Sequence, residues 1–357
     1  MKVTLLSPFG GGGEGTYIKE LLAHPPKDVC YTHYLDSSPF PLKVVGSAFS
    51  FSRRKLLFPD ATIKMLRVKE ETDLVHVHAV ANKIFKRREV PIIMSESSSS
   101  YIYLRDYLGW SEEKIQSRYR LGKIFYKLFD INDRLLNLDN VKHLIVWSNF
   151  AKGIYLRFGI PEEKVSVVYP GMPVRKSERT EPEDEVRFLF IGDLKRKGGS
   201  LVLKSFEKLM EEHDDIKLTV VTSETEKVLK NKNIDCKYVM KREALFDKVF
   251  PFHDVFLSPT YHEGFGITIE EAISFGMPVI STNINAIPEL VENEKTGFLI
   301  EPGNLQELTE KMRILIDDEE LRRKMRKNTI ERFKNKFWHE RTNEDLYKVY
   351  KNAVQSI

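Results

Sequence analysis

Two glutamates, Glu263 and Glu271, stand eight positions apart in the run His262-Glu263-Gly264-Phe265-Gly266-Ile267-Thr268-Ile269-Glu270-Glu271-Ala272-Ile273-Ser274-Phe275-Gly276-Met277-Pro278-Val279-Ile280. An apolar stretch at residues 255–257 precedes them and ends at Ser258-Pro259. The pattern predicts a strand, a loop with two glycines and a helix that starts near Ile267. The first N–H groups of a helix have no partner inside it, so the amides at residues 264–268 make an anion site. In open parallel sheets, ligands bind at this carboxyl edge. A carboxylate beside a phosphate pocket does not bind the phosphate. Glu263 at the loop mouth and Glu271 within the helix suit the hydroxyls of a sugar or a ribose instead. Ordinary surface charge explains each glutamate equally well when it is taken alone.

A second segment, Ile191-Gly192-Asp193-Leu194-Lys195-Arg196-Lys197-Gly198-Gly199, also follows a strand-like run and opens a helical pattern. A cation placed there complements a diphosphate. A solvated basic turn is the plain alternative, and it weakens because both segments follow strand ends of one domain. Near the N-terminus, Gly10, Gly12 and Gly15 fit G-x-G-x-x-G, and Asp36 ends the next strand candidate. That is the dinucleotide fingerprint on paper. Four consecutive glycines match it easily by chance, however. The preferred reading is a loop whose N–H groups approach a phosphate or a sugar without reading a dinucleotide. No Lys-Ser/Thr follows the last glycine, so it is not a P-loop.

The elements that would hold these residues alternate along the chain. Strand patterns occur at residues 3–6, 29–35, 74–80, 91–95, 144–147 and 165–169, with helical patterns at residues 17–22 and 61–71. A second series has strands at residues 186–191, 217–221, 255–257, 278–281 and 297–300, with helices at residues 201–210 and 268–275. From residue 305 onward the pattern is helical. Short apolar runs alternating with helices indicate βαβ units on parallel sheets. The predicted fold is therefore α/β, two doubly wound domains in series. Residues 1–170 form the first domain, 171–185 a charged linker, 186–335 the second domain and 336–357 a last helix. A length of 357 residues with 41% apolar content suits two cores and excludes wholesale disorder.

Residues 1–170 carry 25 Lys+Arg against 18 Asp+Glu, and the remainder carries 31 against 34. The basic excess thus belongs to the first half, which bears on partners. The overall charge of +4 is too small to demand nucleic acid. Residues 101–138 mix Arg105, Lys114, Arg118, Arg120, Lys123, Lys127 and Arg134 with aromatics. Such a helix can lie on an anionic membrane surface, or simply pack with a solvated basic face. Cys30 and Cys236 are far apart, which makes no disulfide framework and fits a reducing compartment. No apolar run approaches a membrane span, and the first residues are too short a stretch for a signal peptide. The expectation is a cytoplasmic protein, with peripheral contact at the inner membrane surface left open. His76 and His78 alternate on one strand face; metal ligation lacks a third ligand at suitable spacing, so a structural role is favoured.

On these residues the chain resembles the retaining nucleotide-sugar glycosyltransferases of glycosyltransferase family 4. Glu263 and Glu271 match both ends of the family's E-x7-E motif. Gly264, Phe265, Gly266, Ala272, Gly276, Pro278 and Val279 are in register with it, as are Ser258-Pro259, Pro288-Glu289-Leu290-Val291 and Thr296-Gly297-Phe298. Gly11-Gly12 and Glu14 match at the N-terminus. The resemblance implies the GT-B architecture, two Rossmann-like domains facing a cleft. It implies that Glu263 contacts the transferred sugar and Glu271 the ribose. The amides at Gly266, Ile267 and Thr268 would cradle the diphosphate. Lys197, helped by Arg196, would neutralise the leaving phosphate, and Gly12 and Gly13 would close over the donor. Glu96 and Ser97 would lie on the acceptor side. The donor would be a UDP-, GDP- or ADP-sugar, with its base near residues 220–224 and 238–241. The acceptor would be a glycan, a lipid-linked molecule or a small molecule. No cofactor is implied, and the lack of a D-x-D agrees with a metal-independent site. The family's last helix crosses back to the first domain; a simple last helix of the second domain is the alternative. Three positions depart from the pattern: Asp193 stands where Arg is usual, Ser97 where His is usual, and Asn285-Ala286 replace a glycine pair. Competing classes are a sugar-nucleotide epimerase or hydrolase, a dinucleotide-binding oxidoreductase and a non-catalytic descendant.

Overall fold

The structure is a computed structural model. It describes residues 1–7, 12–34, 63–67, 71–79, 81–85, 89–97, 99–128, 130–132, 137–178 and 185–355. Gly10, Gly11 and Asp36 lie outside the described residues. The chain divides into two compact units, Met1–Gly171 with His339–Ile357, and Met172–Trp338.

Unit 1 is built on a six-stranded parallel sheet. Its strands are β1 (Lys2–Leu6), β2 (Cys30–Tyr34), β4 (Leu74–His78), β6 (Ile92–Glu96), β7 (His143–Val146) and β8 (Val165–Val167), in the order β2-β1-β4-β6-β7-β8. Strands β4 and β6 are buried at every position, as strands covered on both faces must be. Helix α1 (Gly12–Ala23) turns Tyr17, Ile18 and Leu21 into the core. The helical pattern expected over residues 61–71 gives way to strand β3 (Ile63–Arg67), which pairs in parallel with β5 (Ala81–Phe85). A short apolar segment takes its form from the partner available, and pairing outweighs the helical spacing.

The basic region forms helix α2 (Glu112–Leu128). The last helix, α3 (His339–Gln355), belongs to unit 1. Its Tyr350 is fully buried and hydrogen-bonds both His76 and Tyr31, while Asn343 Nδ2 donates to the His24 carbonyl.

Unit 2 has its own six-stranded parallel sheet. The strands are β9 (Val186–Ile191), β10 (Ile216–Thr222), β11 (Ile234–Tyr238), β12 (Val255–Ser258), β13 (Val279–Thr282) and β14 (Gly297–Ile300). Their order is β11-β10-β9-β12-β13-β14, the 3-2-1-4-5-6 order of the doubly wound Rossmann fold. The order reverses between β9 and β12, and such folds bind ligands at the carboxyl ends of the strands flanking that reversal. Helix α4 (Gly199–Leu209) packs Val202, Phe206 and Leu209 onto Phe188 and Phe190.

Composition predicts a linker over residues 171–185, but residues 172–178 are docked on unit 2. Arg175 N–H donates to the Ser274 carbonyl and Glu178 N–H to the Pro251 carbonyl. A charged composition reports solvent exposure of side chains and says nothing of where backbone hydrogen bonds go.

Candidate active site

The turn after β9 is held from several sides. Asp193 accepts the Arg196 N–H, Glu224 accepts the Leu194 N–H at 2.9 Å, and the Arg196 carbonyl accepts the Tyr261 N–H at 3.0 Å. This explains the aspartate at position 193: its short carboxylate closes the turn locally, which an arginine could not do. Lys227 pairs with Glu224 and, with the Leu194 amide, holds that carboxyl below its ordinary range. Gly198 has φ of 76°, and an added Cβ would sit 2.1 Å from the Pro259 carbonyl oxygen. Only glycine lets the turn after β9 touch the loop after β12 this closely.

That contact sets Lys197 against Glu263. Their ammonium and carboxylate form an ion pair with side chains only 13% and 15% exposed. Glu263 is fixed in turn: its carboxylate accepts the Gly264 N–H at 3.1 Å, and Asn285 Nδ2 donates to its carbonyl at 2.9 Å. Asn285 has φ of 50°. Asparagine tolerates the left-handed region that a glycine would otherwise fill, and its amide adds a tie a glycine lacks.

Helix α5 (Ile267–Ser274) starts after Gly266, whose φ of 104° lets the chain turn into the helix with no side chain capping it. Gly266, Ile267 and Thr268 thus stand at this helix start, as the motif predicts. Glu271 lies in the same helix, and its side chain is 7% exposed. Its Oε1 accepts from Arg242 Nε at 2.6 Å. The structure therefore brings Lys197, Glu263 and the start of α5 together at the carboxyl ends of β9 and β12. The Arg196 side chain is exposed, and its contribution to the turn is made by its backbone.

In unit 1, Gly12 and Gly13 open α1, and Ser97 Oγ donates to Glu14 Oε1 at 3.3 Å. Glu96 and Ser97 are buried at the end of β6. His76 and His78 are also buried, and both contact Ser95 Oγ, at 2.7 and 2.8 Å. His76 Nδ1 meets the Tyr350 hydroxyl at 2.7 Å, and burial pulls its pKa down to about 3. Their surroundings are those of structural histidines. Among the described residues, no group of three or more His, Cys, Asp or Glu is arranged to hold a metal. Sequence reasoning missed Arg242 and the Asn285 tie. Neither has a spacing signal, because each acts across a distance of more than 20 residues.

Two parallel doubly wound sheets define the GT-B fold, and solved structures agree. A sucrose-phosphate synthase from Thermosynechococcus elongatus superposes with a TM-score of 0.68 at 16% identity, covering 100% of both chains. Anabaena HepE in complex with UDP and glucose superposes with a TM-score of 0.66 at 14% identity, over 99% of this chain and 100% of that one. Residues 173–332 match the family model described as Glycosyl transferases group 1, so this part of the chain is similar to that family. The capsular polysaccharide biosynthesis glycosyltransferase CapM of Staphylococcus aureus is 29% identical over 247 residues, 64% of this chain and 63% of CapM. A D-inositol 3-phosphate glycosyltransferase of Corynebacterium kroppenstedtii is 23% identical over 61% of this chain and 55% of that protein. The match thus spans less than two thirds of either relative's length.

Proposed function

We propose that the protein is a retaining glycosyltransferase that moves a sugar from a nucleotide-diphosphate sugar to an acceptor hydroxyl. The observation that carries this reading is the Lys197–Glu263 pair at the switch point of unit 2, beside the uncapped start of α5. The diphosphate lies against the amides at Gly266, Ile267 and Thr268, and Lys197 turns from Glu263 to the leaving phosphate. Glu263, released from its lysine, accepts hydrogen bonds from the sugar, and Glu271 accepts them from the ribose. Glu96 and Ser97, at the end of β6, serve the acceptor. The acceptor oxygen bonds to the anomeric carbon as the bond to the phosphate oxygen breaks on the same face. The acceptor's proton departs with the nucleoside diphosphate. Protein cations and helix amides carry the leaving-group charge, so the step needs no metal. The likeness to the HepE structure with UDP and glucose supports a nucleotide-sugar donor.

The test is a panel of UDP-, GDP- and ADP-sugars, each with and without candidate acceptors, read by nucleoside diphosphate release and by the anomer formed. The expected result is one donor consumed only with an acceptor, with its configuration kept. Sugar release or isomerisation without any acceptor would overturn the proposal, as would inversion.

We also propose that the basic helix of unit 1 meets an anionic membrane surface. Ile124 and Leu128, on one face of α2, are 69% and 76% exposed beside Arg120, Lys123 and Lys127. An apolar pair set among cations fits an anionic bilayer surface. Co-sedimentation with anionic vesicles at low salt, weakened at high salt, is expected; a protein that stays in the supernatant at low salt sinks the membrane contact. Among the described residues no helix is long and apolar enough to cross a membrane.

A further inference from the structure

Glu271 is a carboxylate on an almost wholly buried helix wall, with Glu270 beside it fully buried. A charge withdrawn from water to that degree needs a matched partner to keep its ionised form and its rotamer. Arg242 supplies one, through Nε at 2.6 Å. It reaches across from helix α6 (Arg242–Lys248), which follows the last-paired edge strand β11.

The arginine is itself held on several sides. Its guanidinium lies over the Phe246 ring at 4.4 Å from the centroid, one helical turn further along α6. Arg175 covers the same ring at 3.8 Å, and the Arg175 N–H is bound to the Ser274 carbonyl of α5. Arg242 Nη2 also points at the Met172 sulfur, 3.6 Å away. Its side chain is 14% exposed. A planar guanidinium can stack on a ring and present Nε to a carboxylate at once, which an ammonium cannot do.

We propose that Arg242 is the positioning residue of Glu271 and thereby sets how tightly the protein holds the ribose hydroxyls of its nucleotide. This rests on the reading of Glu271 as the ribose acceptor. Its proposed action is indirect, through fixing the carboxylate that meets the ribose.

The experiment measures binding of UDP, GDP and ADP by calorimetry, takes the tightest, and compares it with its 2′,3′-dideoxy counterpart. Wild type is expected to favour the ribonucleotide by about tenfold or more, the worth of a charge-assisted hydrogen bond. Arg242→Met is expected to weaken the ribonucleotide by about tenfold and leave the dideoxy form within about twofold. Glu271→Gln behaves in the same way, and the double variant is no weaker than either single one. Phe246→Leu leaves the arginine in place without its ring; it lowers the ribonucleotide preference by a smaller factor and guards against a fold defect in Arg242→Met. Equal weakening of both nucleotides overturns the proposal, because it marks a structural effect or direct phosphate contact. An unchanged preference in both variants overturns it too. A wild type with no ribose preference refutes the role given to Glu271 and the proposal with it. That result is distinct from a preference that Arg242→Met leaves intact.

Discussion

Lys197→Met is expected to lower kcat by about 10²–10³-fold, the usual cost of removing one preorganised stabiliser of developing charge. The lysine has two roles. It pairs with Glu263 in the structure, and the proposed reaction turns it to the leaving phosphate. Removing it leaves the mostly buried Glu263 carboxyl without its cationic partner, so unit 2 loses stability as well. The two effects separate in the double variant Lys197→Met/Glu263→Gln. There no charge is left uncompensated, so thermal stability returns toward wild type while turnover stays low. Recovery of turnover together with stability would show that the lysine serves the fold alone. Glu263→Ala is expected to lose activity on the same scale, and full transferase activity in it would refute the sugar contact. Saturating donor is used throughout, so that the loss reads on kcat and not on occupancy.

Unit 1 is expected to weaken as pH falls from 7.5 to 5. His76 is neutral and buried, with a pKa lowered to about 3, against about 6.5 in an unfolded chain. The unfolded chain therefore takes up a proton as pH drops through 6.5, and the folded one does not. The stability this group contributes is full above 6.5 and is lost progressively toward 3. At pH 5 the loss amounts to about 2 kcal/mol from this one group. Burial also lowers the pKa of His33, His143 and His339, which adds to the same slope. The lost state costs more than a charge, because His76 joins three elements. Its two nitrogens meet Ser95 of β6 and Tyr350 of α3, and Tyr350 meets Tyr31 of β2. Protonation makes both nitrogens donors and breaks the alternation of donor and acceptor along that chain. Thermal melts of wild type and His76→Asn at pH 7.5 and 5 decide the matter. The variant is expected to melt lower at pH 7.5 but with a shallower dependence on pH. Parallel slopes would remove His76 as the cause.

Much of the candidate site can be read from local pattern. A strand that ends in Ser258-Pro259, two glycines and a helix start with Glu263 and Glu271 at either end is a contiguous feature, and the structure keeps its order. The turn at residues 192–198 is legible for the same reason. Its departure at Asp193 becomes intelligible only when the Arg196 N–H is seen on the carboxylate. Strand β3 runs against its own helical spacing because β5, paired with it at a separation of 18 positions, offers a pairing edge. Pattern therefore serves best where the chain's neighbours in sequence are also its neighbours in space.

The sequence by itself determined the two-sheet α/β class, the glycine-bearing turns after β9 and β12 and the residue types at the candidate site. Those depend on apolar spacing, on glycine's backbone freedom and on groups within one turn of each other. Tertiary structure alone decided that Lys197 meets Glu263, that Arg242 holds Glu271, and that Tyr350 closes on His76 from 274 positions away. These pairings join buried polar groups on elements remote in sequence. Burial makes a partner necessary, but only the packed fold determines which partner lies within reach.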